Sequence, residues 1–222
     1  MKLVTRSMLA GLMVWGALTG LVHAEPITLV EKSLTDLLGA GFTTAGTLLN
    51  SNMSSGNLHS EVLSQAFTNG GLYVYLYQVD NTGVAGNSSA ELFTLGEFAG
   101  SLNAGDIGYL SGSIPTGFTS GDQVPESEAY VDELAGGLDI SFYYTKRSGY
   151  EIAPGEVSRV MFLRSDYAPG QVVGSVIDHD AASGLVVGAV PEPTTMAMLV
   201  CGGLTALVCV VRRSRRSAMV NG

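Results

Sequence analysis

Cysteine is almost missing from this chain: Cys201 and Cys209 are the only two, both near the C-terminus. A disulfide framework is therefore excluded as the organiser of the fold. Tryptophan is scarcer still, with Trp15 alone, and histidine occurs only at positions 23, 59 and 179. Basic residues are few, 11 Lys and Arg against 20 Asp and Glu, a formal net charge of −9. That balance excludes nucleic acid as a partner, because phosphate binding needs clustered Lys and Arg. Charged residues as a whole reach only 14 %, against the ~25 % usual for soluble domains. Catalytic signatures are lacking too: there is no His-Glu-x-x-His, no Gly-x-Ser-x-Gly elbow, no phosphate loop and no dinucleotide fingerprint. No cofactor is expected, and the chain does not read as an enzyme. A serine triad would have to recruit His59 or His179, since His23 lies in the leader described next.

Glycine is in excess, 29 of 222 residues, about 13 % where ~7 % is usual. The length suits one domain of ordinary size. The mean hydropathy of +0.29 comes mostly from the two ends. Residues 1–24 begin with Lys2 and Arg6, continue through an apolar run from Met8 to Leu21, and close on Val22-His23-Ala24. That is the layout of a secretory signal peptide cut after Ala24, engaging the Sec translocon and signal peptidase. At the other end, Val190 opens Val-Pro-Glu-Pro, an uncharged stretch spans Thr194 to Val211, and Arg212, Arg213, Arg215 and Arg216 follow. Eighteen residues at 1.5 Å rise give about 27 Å, enough for a C-terminal transmembrane helix, with the arginines as a positive-inside stop. Residues 217–222 would then be a short cytoplasmic tail.

Pro191-Glu192-Pro193, an apolar stretch and a basic cluster at the C-terminus resemble the PEP-CTERM sorting signal of Gram-negative bacteria, here over residues 190–216. The resemblance implies recognition and cleavage by a membrane-embedded exosortase, with Pro191, Glu192 and Pro193 as the recognised element. It also implies passage across the inner membrane, transient anchoring by the C-terminal helix, and a final place at the cell surface or in an extracellular matrix of exopolysaccharide and biofilm. An exported protein with a structural or interaction role is expected.

Between the two ends, residues 25–189 carry five basic and 19 acidic residues, a net charge of −14. Periodicity there is mostly two. Leu138 to Thr145 alternates as a half-buried strand should, and Leu72 to Val79 is a second strong strand. Weaker strands are predicted at Leu58–Ala66, Glu91–Leu95, Ile107–Leu110, Val157–Arg164, Val172–Ile177 and Leu185–Ala189. Gly, Pro and Asn turns separate them, among them Asp80-Asn81-Thr82-Gly83 and Ala153-Pro154-Gly155. The expected fold is all-β, an antiparallel β-sandwich of immunoglobulin-like or jelly-roll type, with short helices at Leu29–Leu38 and Glu126–Leu134. The Tyr-rich strand ending in an Asn turn, with a Pro-Gly-Glu corner later at Ala153–Ser158, is similar to the extracellular β-rich modules of many PEP-CTERM proteins.

Tyr73, Tyr75 and Tyr77 alternate and so share one face of their strand. Exposed, that stripe would stack on sugar rings and make the protein a carbohydrate-binding adhesin; buried, it is cross-strand packing. Asp178 and Asp180 bracket His179, a cation site if oxygens converge there and a solvated turn if they do not. Asn52-Met53-Ser54 and Asn87-Ser88-Ser89 fit glycosylation sequons. A secreted hydrolase using His59 or His179 is the third reading.

Overall fold

The computed structural model describes residues 24–134, 137–144 and 149–191. Alternation of apolar and polar side chains builds two sheets, one of them a half-barrel. The first sheet has six strands in the order β1 (Glu25–Thr28), β9 (Glu128–Leu134), β10 (Gly137–Tyr143), β7 (Leu92–Phe98), β12 (Pro169–Ile177) and β13 (Ala181–Ala189). The second runs β2 (Val30–Ser33), β8 (Ile107–Ser111), β11 (Met161–Ser165), β6 (Tyr73–Asp80), β5 (Leu58–Thr68) and β3 (Thr43–Thr44), with β4 (Leu49–Ser55) also paired to β5.

Every neighbouring pair in the first sheet is antiparallel. Strand direction therefore alternates five times between β1 and β13, so β13 runs opposite to β1. The start of β1 at Glu25 and the end of β13 at Ala189 consequently lie at the same end of the sheet, on its two opposite edges.

The core lies between the sheets. Phe93, Leu95, Phe98, Ile140, Phe142, Val176 and Val186 from the first sheet meet Val62, Tyr75, Tyr77, Met161 and Leu163 from the second, all essentially without solvent contact. A second apolar cluster covers the other side of the second sheet, where Leu37, Phe67, Val74, Leu76, Phe118 and Phe162 pack. Strand β6 is thus covered on both faces, which is why Leu72–Val79 reads as an almost continuous apolar run. One edge is closed by serines. The buried Ser64 hydroxyl accepts from Val187 N–H at 3.0 Å, and Ser51 donates to the Leu185 carbonyl. These bonds occupy edge groups of β13 that would otherwise invite another strand.

Several expectations need correction. Glu126–Leu134 is no helix: Ala129 and Val131 turn inward while Glu128, Tyr130 and Asp132 turn outward, a period of two, so it forms β9. Its helix-favouring acids are overridden by the partners on either side, β1 and β10. Leu29–Leu38 contains strand β2 first, and only Leu34–Leu38 is helical, here α1. Ser33 caps it, accepting from Asp36 N–H at 3.1 Å, and Gly39 at φ 59° ends it. The sandwich is not purely antiparallel, because β2 pairs with β8 in parallel. Among the described residues no helix is long and apolar enough to cross a membrane, which corrects the expected transmembrane helix as part of the described fold. The stretch Thr194–Val211 lies outside the described residues, as do residues 1–23, Glu192, Pro193 and the four arginines.

Candidate functional site

The tyrosine stripe is a core feature. Tyr75 and Tyr77 are fully buried and Tyr73 is half-buried. The Tyr75 ring meets Phe98 edge-on at 5.3 Å, and Tyr77 lies 5.8 Å from Phe93, so both rings reach across to the first sheet. The Tyr75 hydroxyl donates to the Tyr167 carbonyl at 2.6 Å. Burial pushes the Tyr75 and Tyr77 phenols well above their ordinary pKa, with each neighbouring Tyr adding a smaller upward push. Of the two alternatives, Tyr75 and Tyr77 take cross-strand packing, and neither ring offers a flat face to a ligand.

Asp178, His179 and Asp180 form the tight turn joining β12 to β13, closed by Asp178 N–H donating to the Asp180 carbonyl at 2.9 Å. The Asp178 side chain is almost wholly enclosed, while His179 stands out in solvent with Nδ1 3.1 Å from Asp178 Oδ1. Burial works to raise the Asp178 pKa, but hydrogen bonds from Ser88 and from His179 outweigh it and the net shift is downward. Asp180 packs against the turn glycine Gly56. Among the described residues no three His, Cys, Asp or Glu side chains gather closely enough to hold a metal ion. His59 sits half-buried on β5, and among the described residues neither imidazole is hydrogen-bonded to a serine hydroxyl. Of the two sequons, Asn87 is occupied, its Oδ1 accepting from Val84 N–H at 2.7 Å. Asn52 is exposed on β4 and accepts from the Ser54 hydroxyl at 3.0 Å.

The two pieces of the Asn-turn and Pro-Gly-Glu pattern meet in space. Asn81 is fully buried, and its side-chain amide donates to the carbonyls of Ser88 and Ile152 at 2.9 and 2.8 Å. Its Oδ1 accepts from Gly83 N–H, its own N–H donates to Glu156 O, and its carbonyl accepts from Gly155 N–H at 2.7 Å. Gly155 adopts φ 85°, a conformation that favours glycine at this corner. Three residues on, Ser158 Oγ accepts from Val79 N–H and donates to Arg159 O, both at 2.9 Å. Gln78 is equally well used: its amide donates to Thr119 O and Ser158 O, and its carbonyl oxygen accepts from Thr119 N–H. These are structural clamps that satisfy buried polar groups.

The surface open to a partner is one that sequence reasoning did not single out: the outer side of the first sheet. Nothing among the described residues covers it. Cross-strand register aligns Tyr130, Ser141, Thr94, Ser175 and Ser183 in a single row over five strands. Ser175 and Ser183 hydroxyls lie 2.8 Å apart. Tyr130 and Tyr143 stand together edge to face at 5.3 Å, and Val173 and Leu185, about half exposed each, face one another at the far edge. Glu128, Asp132 and Asp139 also point outward, and Asp132 is directly opposite Asp139. Asp139 Oδ1 accepts from Glu97 N–H at 3.2 Å, where Glu97 adopts φ 56° beside an irregularity in the β10–β7 register. Lys32, Arg159 and Arg164, the cations among the described residues, all belong to the second sheet or the segment leading into it. They are engaged there with Gly105 O, Glu31 and Leu37 O. The signal for this face was alternation: Leu138–Tyr143 shows it plainly, but only the register reveals which outward residues become neighbours.

Pro191, the first residue of the Pro-Glu-Pro element, is described and exposed. It follows β13 by two residues, after Val190 N–H has donated to the Ala168 carbonyl at 3.1 Å. No family model matches the chain, and no curated protein or solved structure does either.

Proposed function

We propose that this chain is an exported, non-catalytic protein, sorted through its Pro191-Glu192-Pro193 element by an exosortase to the cell surface or the extracellular matrix. There it plays a structural or interaction role among exopolysaccharide. One observation carries the reading: the last strand ends at Ala189 and, after Val190, the exposed Pro191 follows. Pro191 lacks the backbone N–H that a further strand would need. A protease can therefore take this element without disturbing any core residue, as a processing signal requires. The −14 charge of residues 25–189 suits a soluble, exported cargo.

Deleting residues 191–222 tests it, because Val190 and its bond to Ala168 are kept. Surface and matrix fractions of the producing cells are then compared with those of the full chain. Loss of the protein from both fractions, with its periplasmic level retained, is the expected result. Unchanged delivery would overturn the reading. Mass spectrometry of the surface form adds the cleavage point, expected at or near Pro191–Pro193.

A further inference from the structure

We propose that the outer side of the first sheet binds a cationic amino-sugar polymer, a polysaccharide carrying free protonated amines. This deepens the proposed matrix role and rests on it. Charge complementarity is the first argument. On its outer side this sheet carries Glu128, Asp132 and Asp139, and among the described residues its six strands hold no Lys or Arg. Asp132 and Asp139 stand directly opposite each other on neighbouring strands. Like charges so placed repel, and an ammonium group seated between them turns that repulsion into attraction.

Shape and surface chemistry select a sugar polymer over other cations. Strands lie ~4.8 Å apart, so the row from Tyr130 to Ser183 runs about 19 Å across the face, the reach of an extended chain. Four of its five side chains are Ser or Thr, each able both to donate and to accept, which matches a polyhydroxylated ligand. Tyr130 and Tyr143 supply flat rings with polar tips at the acidic end of the row, suited to stack on a sugar ring and to attract an ammonium group. A basic peptide would use the carboxylates and leave the hydroxyl row idle.

The test is co-sedimentation of the full chain, purified in detergent, with beads of deacetylated poly-glucosamine at low ionic strength. Fully N-acetylated beads and soluble polylysine serve as comparisons. Retention on the deacetylated beads is expected, falling as salt is added. The double variant Asp132→Asn/Asp139→Asn is expected to bind about tenfold more weakly. Its unfolding midpoint should be unchanged or raised, since it relieves a repulsion. The exposed-ring variant Tyr130→Ser is expected to weaken binding as well. Equal retention on N-acetylated beads would overturn the proposal. So would a double variant that binds like the parent, or polylysine binding that depends on the two aspartates while Tyr130→Ser is silent toward both polymers. Delivery is read in cells by the tail deletion, so failure on the beads with tail-dependent surface delivery sinks this proposal alone. Tail-independent delivery sinks the sorting reading whatever the beads show.

Discussion

Replacing Asn81 with Ala should damage the fold more than any other single polar truncation near the turn regions. The side chain is fully buried and makes three hydrogen bonds: two donated to the Ser88 and Ile152 carbonyls, one accepted from Gly83 N–H. Alanine leaves the part-buried Ser88 carbonyl and Gly83 amide without this partner, and strips the buried Ile152 carbonyl of one of its two donors, the other being Ala90 N–H. At ~1 kcal/mol for each of the three bonds lost, the cost is about 3 kcal/mol. For a domain of this size each kcal/mol lowers the thermal midpoint by ~2–4 °C, so a drop of about 6–12 °C is expected. Urea unfolding followed by far-UV circular dichroism measures it, with an unchanged denaturant slope showing that only stability has moved. Asn50→Ala is the control. Asn50 is exposed and donates to Glu61 at 3.0 Å on the surface, so its loss should stay within ~0.5 kcal/mol. Asn81→Asp sharpens the test, because at neutral pH a carboxylate would face two carbonyl oxygens, and the variant should be at least as unstable as Asn81→Ala. If Asn81→Ala is no worse than Asn50→Ala, the view of Asn81 as the clamp between the two turns is refuted.

Two further outcomes follow from local geometry. Glu97→Gly should stabilise the protein by about 1 kcal/mol, because the parent residue holds φ 56° at the cost of a left-handed conformation, and its N–H bond to Asp139 remains; a lower midpoint in urea would refute this. Tyr75, Tyr77 and Tyr144 all have folded-state pKa values raised chiefly by burial, so above pH ~10 the unfolded chain loses phenolic protons that the native state keeps. Stability from this source is whole below that pH and falls as pH rises, by up to ~1.4 kcal/mol per pH unit for each tyrosine; thermal midpoints between pH 8 and 12 that stay flat would refute it.

Much of the fold was legible because burial on one face writes itself as alternation. Eight predicted strands correspond to β5, β6, β7, β8, β10, β11, β12 and β13, with ends shifted by a few residues. The five that were missed are short, edge-lying or polar. Strand β4 reads Leu-Asn-Ser-Asn-Met-Ser-Ser and buries only Met53 fully, so almost nothing marks it until β5 pairs with it. Strand β9 is rich in acids that favour helices, and its two inward side chains are too few to announce a period. The tyrosine stripe posed a different problem. Alternation told that Tyr73, Tyr75 and Tyr77 share a face, but which face is inside depends on the second sheet, and here both faces of β6 are covered. The open face of the first sheet was illegible for a related reason: its row of hydroxyls is assembled from residues 94, 130, 141, 175 and 183, and only pairing register makes them neighbours.

The placement of β13 has a mechanical consequence. A force applied at Pro191 would pull on β13 along its own length, from the end where Ala189 leaves the sheet. Nine residue pairs join β13 to β12 over that length, so drag on the body of the domain loads the bonds of the whole hairpin ladder at once instead of opening them one by one. The Ser51 and Ser64 clasps bear on the same strand from its other side. Loaded this way, the hairpin would resist in shear, its ladder bonds sharing the force, instead of peeling from one end.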